Sequence, residues 1–187
     1  AGGNEFHMYG GTISGNQATG NGGGVVMMNN NNGRFYLHDG VITNNKAQNG
    51  GGVAIIGNGY KFNSVTFTMF GGTISDNEAT SSTEGGGGVY LDNNSTFTMS
   101  GGSIAGCTTV GGLSYGGGIY NEGTMTLSGT AEIRDCHAKD SDGDAAFGGG
   151  ISDNGEAFQI SGNVRITGCT ASVVDIKTAS FRDKLLP

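Results

Sequence analysis

Apolar and polar residues alternate along this chain in short bursts, and the bursts recur. Phe6-His7-Met8 and Phe67-Thr68-Met69 set apolar side chains two apart with a polar residue between them, the period of a strand with one buried face. A glycine pair follows each burst, and then a second alternation, Thr12-Ile13-Ser14 and Thr73-Ile74-Ser75. Each burst is only three to five residues long. Glycines stand between them, where the chain must bend sharply and a positive φ is useful.

Six imperfect copies of this unit begin at Phe6, Phe35, Phe67, Phe97, Met125 and Phe158, spaced by 29, 32, 30, 28 and 33 residues. Variation of that size means a fixed frame with variable loops. Aligned, the copies give columns. Met8, Leu37, Met69, Met99, Leu127 and Ile160 form one, and Ile13, Ile42, Ile74, Ile104, Ile133 and Ile166 another. Ala18, Ala47, Ala79, Thr109, Ala138 and Ala171 form a column of small residues, and a glycine triplet then precedes Val25, Val53, Val89, Ile119 and Ile151. One copy cannot bury its own apolar edge, whereas stacked copies set like side chains over like. The pattern predicts an all-β, right-handed parallel β-helix of about six coils with three short strands per coil. It forms a single domain over 1–187, with 172–187 as a C-terminal cap or the start of the next segment. A propeller blade needs longer repeats, a leucine-rich repeat needs a leucine frame, and helices are excluded by the glycine density.

Composition agrees with this frame. Glycine accounts for 39 of 187 residues and proline for one, and only 35% are hydrophobic, which a repeat with few inward side chains per coil tolerates. The net charge is −7 with scattered basic residues, which argues against a nucleic-acid partner. No apolar run is long enough for membrane insertion by this segment. Ala1 to Glu5 is too short to cover Phe6 and Met8, so further domains or end-to-end self-association are expected.

The runs Ile13-Ser14-Gly15-Asn16, Ile42-Thr43-Asn44-Asn45 and Ile74-Ser75-Asp76-Asn77 are each followed by a glycine triplet with valine, as in Gly23-Gly24-Val25 and Gly51-Gly52-Val53. This combination resembles the repeats of chlamydial polymorphic membrane proteins and of related adhesin-like β-helix surface proteins of gut bacteria. The chain departs from them in using Ile before the Asn, and in carrying Cys107, Cys136 and Cys169 in place of Asn in the last three copies. The resemblance implies an extracellular, bacterial cell-surface segment of a larger protein, non-catalytic, binding a glycan or a host-surface protein.

Several residues carry candidate chemistry. Asn16, Asn45, Asn77, Cys107, Cys136 and Cys169 share one column and are expected to form a structural ladder. Adjacent thiols one rung apart are near enough for a disulfide, though three cannot all pair. Asp140, Asp142 and Asp144 alternate around Gly143 in what reads as a loop, a candidate Ca²⁺ site, and no other cofactor is indicated. His7, His38 and His137 fall at three different column positions, and His7 and His38 can lie near each other in neighbouring rungs, but not as an ordered ligand pair. Glu132 and Arg165 share a column one rung apart, as a cross-strand ion pair does. Tyr60, Lys61 and Phe62 form an aromatic-basic cluster in a long loop, and with Arg34 they are the candidate partner-binding residues.

Two other functions are open. Polysaccharide lyases and glycoside hydrolases use the pectate-lyase-like version of this fold, but the sequence offers no evident acid/base dyad. The column Thr68, Thr98 and Thr126 raises ice binding, although it is interrupted at Tyr36 and Gln159.

Overall fold

A computed structural model describes residues 4–28, 32–57 and 65–173, with the backbone alone for 142–144 and 173. The chain is a parallel β-helix of about five turns. Among the described residues there is no helix. One ten-stranded and two five-stranded parallel sheets run the length of the stack.

The register follows the sequence columns. Phe6 pairs with Phe35, Phe35 with Phe67, Phe67 with Phe97, Phe97 with Met125, and Met125 with Phe158. The Ile column is equally in register from Ile13 to Ile166. The small-residue column from Ala47 to Ala171 forms the second sheet, and the column from Val25 to Ile151 forms the third.

The strand count per coil differs from expectation in an informative way. Phe and Ile columns belong to one sheet, bent at the glycine pair. In the first two coils the ladder crosses that bend, giving the continuous strands Glu5–Ser14 and Arg34–Thr43. A bulge absorbs the bend there, with Tyr9 set against Asp39. From the third coil on the strand breaks, as between Val65–Met69 and Thr73–Ser75.

The corner after the Ile column explains the residues found there. Gly15, Asn44, Asp76, Gly106, Asp135 and Gly168 all have φ between 53° and 70°. Only glycine, and to a lesser degree asparagine and aspartate, takes this left-handed conformation at low cost. The glycine triplet answers a different need, close approach. A Cβ on Gly51 would run into the backbone of Glu78, and one on Gly117 into the backbone of His137.

Inside, Phe35, Phe67 and Phe97 are fully buried and their rings stack face to face at 4.7 and 4.8 Å. Leu37, Met69, Met99, Ile42, Ile74 and Ile104 fill the remaining cross-section with no exposed surface. The interior is therefore spent on packing, and the polar and aromatic chemistry of the chain falls to the outward side chains.

Candidate functional site

The outward residues flanking the Phe column differ sharply between the two halves of the stack. In the first two coils they include His7, Tyr9, Tyr36 and His38, and the third coil adds Phe70. His7 stacks on Tyr36 with ring centroids 4.5 Å apart. Tyr9 stacks on His38 at 4.3 Å, and His38 on Phe70 at 5.1 Å. Tyr9, His38 and Phe70 each stand three residues after the Phe of their coil, and although the bulge sets the Tyr9 backbone against Asp39, the Tyr9 ring still stacks on His38. Two ring stacks thus stand side by side on the sheet, their edges toward solvent. Tyr9 is 70% exposed and Phe70 50%.

Hydrogen bonds tie the stacks together. His7 Nδ1 faces His38 Nε2 at 3.2 Å, so one ring donates and the other accepts. His7 Nε2 lies 3.5 Å from Glu5 Oε2, and Arg34 donates to Glu5 Oε1 at 3.0 Å. The Arg34 guanidinium, with His7, holds the Glu5 carboxyl below the usual carboxylate range. The two histidines are therefore in direct contact, neighbours in adjacent rungs although they stand at different column positions. Beyond Phe70 the same face turns to hydroxyls. Thr66, Thr96 and Thr124 lie in register, as do Thr68, Thr98 and Thr126. The first of these columns ends at Arg34 and Ala157, the second at Tyr36 and Gln159.

A second cluster lies outside the third sheet. Tyr90 and Tyr120 point outward yet are only 4% and 6% exposed, packed with Ala54, Ile56 and Tyr115. Their hydroxyls donate to the two oxygens of Glu122, each at 3.2 Å. Burial, then the facing carboxylates, push both phenols up. Glu84 faces the same Tyr90 hydroxyl and accepts a bond from Asn49 Nδ2 at 2.5 Å. Burial and the Glu122 charge hold the Glu84 carboxyl above the usual range. Between the ordinary carboxylate pKa and this raised value the folded chain keeps a proton that the unfolded chain has released. Stability contributed by Glu84 is thus present below that window and lost as pH rises through it. Glu84→Gln is expected to flatten this decline, measured as thermal midpoints from about pH 4 to pH 7 in chelator. An unchanged slope would contradict the assignment.

The residues singled out in the sequence fall as follows. The Asn column forms the expected ladder: Asn16 and Asn45 bond at 2.9 Å, and Asn45 and Asn77 at 3.1 Å. The three cysteines are free. Cys107 Sγ lies 3.5 Å from the Ala105 carbonyl of its own coil and 3.7 Å from the Ile74 carbonyl of the coil before, the second at the place where Asn77 Nδ2 donates to the Ile42 carbonyl at 2.9 Å. Arg165 lies 3.8 Å from Glu132, which Arg134 also approaches at 3.6 Å. His137 bonds Thr170 at 2.8 Å, away from the other histidines.

Asp140, Asp142 and Asp144 lie within the strand His137–Phe147, not in a loop. Asp140 is fully buried against the neighbouring coils, because its strand pairs with Thr108–Tyr115 on one side and Thr170–Val173 on the other. The side chains of Asp142 and Asp144, and the whole of Tyr60, Lys61 and Phe62, lie outside the described residues. Among the described residues no group of three or more His, Cys, Asp or Glu is placed to hold a metal ion. Tyr9, Tyr36, Phe70, Asn49, Glu84, Tyr90, Tyr120 and Glu122 were not singled out. For the first three the signal was present, as aromatic residues at outward positions beside the Phe column. No protein-family model, no curated protein and no solved structure matches the chain.

Proposed function

We propose that this chain is a non-catalytic, extracellular binding segment of a bacterial surface protein, and that it recognises a glycan through the outward face of its first sheet. The observation that carries this reading is the exposed double stack of His7, Tyr9, Tyr36, His38 and Phe70. Aromatic side chains with polar tips give apolar contact and hydrogen bonds together, which suits a sugar ring with hydroxyls at its rim. The strands beneath hold these rings in register, so little side-chain freedom is lost on binding. The threonine columns extend the face with further hydroxyl donors and acceptors. Resemblance of the repeat to those of surface proteins supports the extracellular placement. The recognition face then lies on the sheet, with Arg34 at its edge.

A glycan array probed with the native chain is the direct test. Tyr9→Ala combined with Tyr36→Ala is expected to weaken the strongest signal by roughly tenfold or more, the loss of two stacked aromatic contacts. The thermal midpoint is expected to change little, because both side chains lie outside the core. Binding that survives the double substitution would overturn the reading. So would turnover of a pectin-like polysaccharide by the native chain.

A further inference from the structure

We infer that Glu84 and Glu122, with the side-chain oxygen of Asn49, form a binding site for a hard divalent cation of the Ca²⁺ type. The site draws on three coils. Asn49 stands before the glycine triplet of the second coil and Glu84 before that of the third, while Glu122 follows the strand Ile119–Asn121 of the fourth. Parallel stacking brings these positions onto one edge of the rod, above the apolar floor of Tyr90 and Tyr120.

The arrangement is unbalanced in charge. The Glu122 and Asp92 charges both act on Glu84, and the groups that act most strongly on it include no cation. Tyr90 has a single hydroxyl proton, and it goes to Glu122. Glu84 also lies within hydrogen-bonding reach of that hydroxyl, and one proton cannot satisfy both carboxylates at once. Burial makes the ionised form costlier still.

Asn49 supplies the independent observation. It is only 6% exposed. Its Nδ2 is committed to Asn21 at 3.1 Å and to Glu84 at 2.5 Å. Its Oδ1, on the same amide group, has no hydrogen-bond partner among the described residues. A buried amide oxygen without a partner is uncommon and calls for an explanation. A cation seated beside Glu84 would coordinate it and offset the carboxylate repulsion together.

The donor set specifies the ion. Carboxylates, an amide oxygen and phenolic oxygens are all hard ligands, with no imidazole or thiolate among them, so zinc and copper are disfavoured. The oxygens come from flexible side chains on separate coils, and water can complete the shell. Ca²⁺, which accepts about six to eight oxygens in irregular geometry, fits this better than Mg²⁺.

Terbium luminescence tests the site directly. The chain has no tryptophan, so tyrosine is the sensitiser, and the Tyr90 and Tyr120 hydroxyls both touch Glu122. Titration of the native chain with Tb³⁺ under tyrosine excitation is expected to give saturable emission that Ca²⁺ displaces. Glu84→Gln is expected to weaken binding roughly tenfold or more while the variant stays folded in chelator, since it removes a repulsion. Asp142→Asn with Asp144→Asn is expected to leave the titration unchanged. Absence of sensitised emission at millimolar Tb³⁺ would overturn the proposal. Emission that Glu84→Gln leaves intact would do so equally.

Discussion

Phe67→Ala is expected to lower the unfolding free energy by about 3–5 kcal/mol, the range for truncating a buried aromatic. Phe67 has no exposed surface and stacks on two rings, Phe35 at 4.7 Å and Phe97 at 4.8 Å. The backbone around it is held on both sides by the ladder, so neighbouring coils cannot collapse into the space. In a stack whose stability is a sum of nearest-neighbour interfaces, an interior change weakens two of them. Phe6→Ala is the matched control. Phe6 is 39% exposed and stacks only on Phe35, and its loss is expected to cost less than about 2 kcal/mol. Urea denaturation of the two variants measures the difference. Equal costs would mean that the Phe column is not a cooperative stack.

The interior was legible in the sequence because it is written in a short code. A strand alternates with period two, so one residue of slip would turn every Phe and Ile outward. The column alignment from Phe6 to Phe158 could therefore be drawn without coordinates. The corner residues were legible for a related reason, since positive φ admits few residue types, and Asn44, Asp76 and Asp135 are among them. The sites were harder to read because outward positions follow no repeated code. Tyr9, His38 and Phe70 do share a column, three residues after Phe6, Phe35 and Phe67, and their rings stack at 4.3 and 5.1 Å, but the residue type changes from coil to coil. Glu84 lies in a variable loop and Glu122 after a strand, so no fixed spacing links them. Asp140 misled in the opposite direction. Its run looks like a solvated loop, with glycine between acidic residues, yet the second sheet continues through it as the strand His137–Phe147. Pairing with coils on both sides holds Asp140 in the ladder, and a register shift between Asp140 and Ala145 takes up the residues that follow it.

Asn77→Ala is expected to cost about 2–5 kcal/mol, although it removes little apolar surface. Asn77 is 1% exposed. Its Nδ2 donates to the Ile42 carbonyl at 2.9 Å, and its Oδ1 accepts from the Asn45 backbone at 2.9 Å. Both partners belong to the coil before it and are buried. Alanine leaves that carbonyl and that N–H without partners, each at roughly 1–3 kcal/mol. The next coils show how much of this another side chain can recover. Cys107 occupies the same column, with its thiol 3.7 Å from the Ile74 carbonyl and 3.5 Å from the Ala105 carbonyl of its own coil, a weak donor that two carbonyls share. Asn77→Cys is therefore expected to be less damaging than Asn77→Ala by about 1 kcal/mol, with all thiols kept reduced. Paired urea melts in reducing buffer decide the matter. If the cysteine and alanine variants unfold at the same midpoint, the thiols of the later coils merely fill space, and the column owes nothing to hydrogen bonding across coils.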